Sequence, residues 1–210
     1  ALNMSLALSL AEVNFGTTTR AMISGSDVTA TTGNVSLTAL STGSVDALGV
    51  GVGVAIGGAG LAAGSASAAG AIANLTSTNL VEASITEDSD VDAPFGSILL
   101  TATDETLLTN EVVAVGVSGA FAAGGGIALT VSAAVATSSL DGTVMARIND
   151  SDVDAGMDVL LTALADSEIS ASGKGVAISL SAAFGFGLAG AGAGAVVTNT
   201  INQEVWAEIL

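Results

Sequence analysis

From Val176 to Leu188 the chain alternates between two kinds of residue. Val176, Ile178, Leu180, Ala182, Phe184, Phe186 and Leu188 hold one parity, and Ala177, Ser179, Ser181, Ala183, Gly185 and Gly187 hold the other. Successive side chains of an extended strand point to opposite faces, so a period of two marks a strand. A helix would place apolar residues three and four apart. The same design recurs at Val50, Val52, Val54 and Ile56, at Val113, Val115 and Val117, and at Ile127, Leu129 and Val131. A chain that repeats such a block is committed to stacked β-structure.

The block belongs to a longer unit. Ala21-Met22-Ile23, Ala83-Ser84-Ile85, Ala146-Arg147-Ile148 and Ala207-Glu208-Ile209 open successive copies, spaced by 62, 63 and 61 residues. Ser26-Asp27-Val28, Ser89-Asp90-Val91 and Ser151-Asp152-Val153 follow in each, then Leu37-Thr38-Ala39, Leu100-Thr101-Ala102 and Leu161-Thr162-Ala163. Anchors held in register across three copies signal internal repetition. The expected organisation is the end of a preceding repeat at 1–20, repeats at 21–82, 83–145 and 146–206, and the start of another at 207–210. Asn14, Asn74 and Asn199 lie near the ends of units, with Ser138 in the matching place of the second copy. They invite a structural ladder of stacked amides.

A unit of this length divides into three rungs of about 21 residues, each holding short strands and tight turns, stacked in one solenoid. Gly33-Asn34, Pro94-Phe95-Gly96 and Ala155-Gly156 supply turn geometry between the short runs. The expected fold is therefore all-β: a right-handed parallel β-helix (β-solenoid) of about three 61–63-residue repeats with Gly/Ala-rich alternating strands. Half the residues are hydrophobic but only 3% are aromatic, and there are 27 glycines and one proline, which suits layered sheets of Ala, Val, Leu and Ile.

Charge excludes several functions. The net charge is −17, and Arg20, Arg147 and Lys174 are the only basic residues. Nucleic acid and anionic membrane surfaces both demand clustered Lys and Arg. With no Cys and no His, Ser-His-Asp and Cys-His mechanisms are excluded, and zinc, haem and iron–sulfur sites lose their usual ligands. Paired carboxylates on a solenoid suggest glycoside chemistry, but that calls for a cleft with basic or aromatic sugar platforms. The chain offers one Trp, Trp206, and no Tyr. No enzyme is expected.

The charges are also unevenly placed. None falls between Asp46 and Glu82, between Glu111 and Asp141, or between Lys174 and Glu204. Each unit has an acidic half and an uncharged Gly/Ala half. The uncharged half is expected as strands with large residues inward and a flat outer face of Gly, Ala and Ser, of which Gly190–Ala195 is a silk-like example. Alternatives are a transmembrane helix at 50–73, disfavoured by its glycines, and a helical hairpin including Ala62–Ala69. An uncharged outer face implies docking, either of another copy, laterally or as a fibre, or of flanking repeats of the same chain.

Only the acidic clusters carry candidate chemistry. Asp88, Asp90 and Asp92, and Asp150, Asp152 and Asp154, alternate in sequence, so on a strand each trio shares a face. Calcium accepts such oxygen ligands. The competing reading is a solvated acidic turn that keeps the solenoid soluble. No other cofactor is expected.

The pattern Ala-x-Ile, Ser-Asp-Val-x-Ala, Val-x-Leu-Thr-Ala, an alternating Val-Gly block, Asn and a return to Ala-x-Ile resembles the repeats of giant bacterial surface adhesins of the filamentous-haemagglutinin type. The resemblance spans nearly the whole chain. It implies a secreted, non-catalytic β-helical fibre or adhesin stalk at the cell surface, meeting a host or neighbouring cell, without membrane insertion. Because both ends fall inside repeat units and open solenoid ends are unpaired sheet edges, the chain is also expected to be a segment of a longer array or a protomer that stacks into a fibre. A calcium-dependent or glycan-binding adhesion module is the alternative.

Overall fold

The computed structural model describes residues 1–210. It contains eleven strands and no helix: β1 (Leu2–Ser24), β2 (Asp27–Thr29), β3 (Val35–Ala59), β4 (Ala62–Thr86), β5 (Ser89–Ala93), β6 (Ile98–Ala122), β7 (Gly125–Ile148), β8 (Ser151–Ala155), β9 (Val159–Ala165), β10 (Glu168–Ala183) and β11 (Phe186–Ile209). All pairings are parallel and build three sheets. One runs β1-β4-β7-β11, the second joins β3 and β6 to β9 and β10, and the short third runs β2-β5-β8. The protein is a parallel β-helix.

The coil is three times longer than the sequence division suggests. Leu2 lies opposite Gly64, Val35 opposite Ile98 and Phe186 opposite Gly125, so one whole repeat makes one coil, not three rungs. The repeat anchors explain this. Ala21, Ala83, Ala146 and Ala207 lie side by side, as do Leu37, Leu100 and Leu161, and like residues stack only if the coil length equals the repeat length. Each coil runs out along one long strand, turns, returns along another, and closes through a short strand. β3 and β4 have 25 residues each, so a coil extends about 80 Å.

The Gly/Ala blocks are strands, which removes the helical hairpin and the helical span; no helix is long and apolar enough to cross a membrane. The Val176–Leu188 run is not one strand. It breaks at Phe184 and Gly185, where β10 turns into β11. The equivalent turns, at 60–61 and 123–124, form the tip of each coil. Their backbones bond from coil to coil, Ala123 N–H to Gly60 C=O (3.2 Å), Gly124 N–H to Leu61 C=O (3.0 Å) and Phe186 N–H to Gly124 C=O (3.1 Å). The residue offset between paired strands is constant across these tips and changes only at the corners flanking β2, β5 and β8.

The core changes character along the coil. At the three-sheet end, Val35, Leu37, Val81, Ile85, Val91, Ile98 and Leu100 fill a conventional apolar interior. Toward the tip the interior shrinks to Ala71, Ala73, Ala114 and Ala134, with Leu75, Leu108 and Leu140 the largest members. At the tip it is Ala63, Ala120 and Ala128.

Here the structure reverses the expected orientation of the uncharged half. Gly, Ala and Ser face inward, and the large residues of β1, β3, β6, β7 and β10 face outward, while β4 and β11 carry small residues on both faces for much of the blade. Val54 is 51% exposed and Leu6 72% exposed, while Ala55 and Ala71 are buried. Close approach of the two long sheets is the cause. A Cβ on Gly53 would sit 2.6 Å from the Ala68 carbonyl oxygen, one on Gly57 2.5 Å from that of Gly64, and one on Gly51 would run into Gly70. No larger side chain fits between backbones this close. The tip half of each coil is a thin two-layer blade, small inside and apolar outside. Runs of small outward residues persist only on β4 (Gly64, Ala66, Ala68, Gly70) and β11 (Gly190, Gly192, Gly194), so no outer face is flat Gly/Ala/Ser throughout.

Candidate functional surfaces

The corner before the short third sheet needs a left-handed residue. Gly25 (φ 53°), Asp88 (φ 53°) and Asp150 (φ 46°) occupy successive copies of it, joined by Glu87 (φ 63°). Glycine enters this region freely, and aspartate is among the few other residues that tolerate it. Serine then staples the corner. Ser89 Oγ–H donates to Thr86 C=O (2.6 Å) and Ser151 Oγ–H to Asn149 C=O (3.0 Å), while the Ser26 and Ser89 N–H groups donate to the Ser89 and Ser151 hydroxyls (3.3 Å each).

This corner divides the six expected calcium ligands. Asp88 and Asp150 sit in the turns, off the strands. Asp90 and Asp92 on β5, and Asp152 and Asp154 on β8, do share an outward face. Stacking extends them into two rows, Asp27-Asp90-Asp152 and Asp92-Asp154. Asp88, Ser89, Asp90, Ser151 and Asp152 line a cleft of about 300 Å³ with no apolar residue. Asp92 above all, then loss of hydration, then Asp27, Asp152 and Asp154, hold the Asp90 carboxyl above its ordinary range. No three of the acidic side chains converge closely enough to hold a metal ion.

The asparagine ladder does not form. Asn14 pairs with Thr76, Asn74 with Glu12 and Thr137, and Asn199 with Ser138, so the three occupy different rows. Asn14 and Asn74 have outward parity, and Asn14 donates to Glu12 Oε1 (3.4 Å). The buried amides are Asn79 and Asn110 instead. Asn79 centres a polar belt between the two larger apolar clusters. Its Nδ2 donates to Thr106 Oγ1 (2.8 Å) and Asp104 Oδ2 (3.2 Å), and its Oδ1 accepts from Thr17 (3.0 Å) and Ser77 (3.3 Å). Thr106 donates to Asp104 Oδ1 (2.8 Å) and Gln203 Nε2 donates to Oδ2 (3.5 Å), so the fully buried Asp104 carboxylate is held by neutral donors from three coils. Asn110 Nδ2 donates to Thr137 C=O (3.0 Å), Ser138 Oγ (3.1 Å) and Ala73 C=O (3.2 Å). Nearer the tip, Ser118, Thr130 and Ser179 form a second belt, with Ser118 and Thr130 at 2.6 Å. Their inward parity was the available signal for these residues.

All three basic residues bridge coils. Arg20 Nε lies 3.1 Å from Glu82 Oε2 and Arg147 Nη2 lies 2.8 Å from Oε1, and Lys174 Nζ lies 3.0 Å from Glu111 Oε1. The two arginines clamp a buried carboxylate from both sides, tying three successive coils together.

The outer faces of the blade are uncharged over most of their length and carry many exposed apolar side chains. The tip bears the exposed side chains of Leu61, Phe121, Phe184 and Phe186, with Phe184 99% exposed, and Phe121 and Phe184 line a hollow of about 440 Å³ with Ala59, Gly60 and Ala122. Contiguous exposed apolar surface marks binding surfaces. No family of known proteins, no curated protein and no solved structure matches the chain.

Proposed function

We propose that this chain is a non-catalytic shaft segment of an extracellular, adhesin-like β-helical fibre. The coil-on-coil register carries that reading. Long strands pair residue for residue along each sheet, and ion pairs and buried amides join neighbouring coils. Each coil meets only its neighbours, so such a shaft lengthens by about 4.8 Å per repeat without redesign. Surface labelling tests it. Antibody raised against the 87–92 corner is expected to label intact producing cells; labelling that appears only after lysis overturns the reading.

A second reading treats the acidic edge as a calcium-dependent or glycan-binding adhesion surface. The two aspartate rows concentrate negative charge on this edge, and their mutual repulsion raises the Asp90 carboxyl. Calcium that binds the folded state raises its melting temperature. A rise at sub-millimolar calcium, absent in Asp90→Asn with Asp152→Asn, supports this reading, and an unchanged melting curve rejects it.

A further inference from the structure

The outer face of the β1-β4-β7-β11 sheet is corrugated toward the tip. The row Leu6, Ala68, Val131, Gly192 runs large, small, large, small across the four strands, and the row Met4, Ala66, Leu129, Gly190 repeats it. The ridges on β1 and β7 stand two strand spacings apart, about 9.6 Å. The furrow between them, of about 430 Å³, is floored by Ala66 and Ala68. No charged residue interrupts this face before Glu12.

We propose that this face is the interface of a homodimer. A second copy turned about a two-fold axis parallel to the strands presents its coils in reverse order. Large-small-large-small then meets small-large-small-large. The β7 ridge of each copy fills the β4 furrow of the other, and each β1 ridge lies over the small residues of β11. Such an interface is self-complementary, as a two-fold demands. β4 is small in the four rows from Leu2 to Leu8 (Gly64, Ala66, Ala68, Gly70), with Leu188 and Ala133 departing from the alternation at its two ends, and the Leu10 row, large on every strand, bounds the furrow. Those four rows give about 500 Å² of projected area, and the corrugation raises the accessible area toward the roughly 800 Å² per partner of a stable complex.

The opposite outer face suits a dimer less well. Its row Val52, Val115, Val176 is large on every strand, which leaves no furrow, and the Lys174–Glu111 ion pair bounds it. The strand-parallel axis also brings both acidic ends to one side. Association therefore strengthens as salt screens their repulsion.

Sedimentation velocity on the whole chain, from about 1 to about 100 μM, is the test. Wild type is expected to pass from monomer to dimer, more readily at high salt. Leu129→Glu buries two charges per dimer and is expected to weaken association more than about tenfold. Val115→Glu on the opposite face leaves it unchanged. Should Leu129→Glu fail to fold, as judged by circular dichroism, Leu129→Ala removes the ridge without adding charge and must also weaken the dimer. Geometry has its own readout, since the chain has no cysteine. Ala68→Cys mixed with Val131→Cys is expected to form a disulfide faster than either variant alone. A folded monomer at every concentration overturns the proposal, as does association that survives both Leu129 variants. A monomer that instead binds phosphatidylcholine vesicles, and loses that binding in Leu129→Glu, overturns it in favour of a lipid surface. None of these outcomes bears on cell-surface labelling, which tests the shaft reading separately.

Discussion

The two ends of each coil solve opposite packing problems. At the three-sheet end the strands surround a wide interior, so Ile85, Val91 and Leu100 turn inward and Asp90 and Asp92 turn out. At the blade the two long sheets nearly touch. Gly, Ala and Ser fill the space between them, with Thr130 the largest inward side chain toward the tip, and the large apolar residues lie outside. Interior width decides which parity is buried; hydrophobicity alone does not. A buried glycine is as constraining in the blade as a buried leucine at the other end.

The most damaging way to break this contrast is to widen the blade. Gly51→Val drives side-chain carbon into the Gly70 backbone, with no rotamer to escape into. It is expected to cost about 4 kcal/mol or more in urea unfolding, the range reserved for severe defects of packing. Leu100→Ala empties the wide interior and is expected to cost about 3 kcal/mol, whereas Val54→Ala on the outer blade stays within about 0.5 kcal/mol. Equal losses at Leu100 and Val54 would mean that the blade's outer face is covered. Asp104→Ala strands the Asn79 and Thr106 donors between the two regions, at about 2 kcal/mol. The smallest effect is expected at the acidic rows. Because the folded Asp90 carboxyl sits above its unfolded value, its ionisation costs stability as pH rises through its folded pKa. Asp90→Asn is therefore expected to raise the melting temperature slightly at pH 7 and to give no gain below the carboxylate range. A gain that persists in acid would show that charge repulsion is not the cause.

The repeat, the all-β class and the parallel stacking were legible because like residues recur at one spacing, and stacked coils place like on like. The coil length was in the same data. Dividing the repeat by three ignored that the anchors themselves repeat only once per unit. Blade orientation was also readable, by following parity along an unbroken strand. Val35 and Leu37 hold the odd positions of β3 in the wide core, so Gly49, Gly51 and Gly53 must face in and Val50, Val52 and Val54 out. Taken alone, the alternating block suggested the reverse. Asn79 and Asp104 were less accessible, because their partners lie about 25 residues away on a different sheet. The aspartate rows were half legible, since alternation predicted a shared face but not the left-handed turns that remove Asp88 and Asp150 from it.

The constancy of residue count across the tip turns has a consequence for how such a chain changes over generations. A residue gained or lost there would put every later side chain of the long strand on the wrong face. The corners beside β2, β5 and β8 already absorb such differences from copy to copy. Inheritable length variation is thus confined to two kinds of event: small edits at those corners, and in-frame exchange between copies that adds or deletes a full coil and leaves no seam.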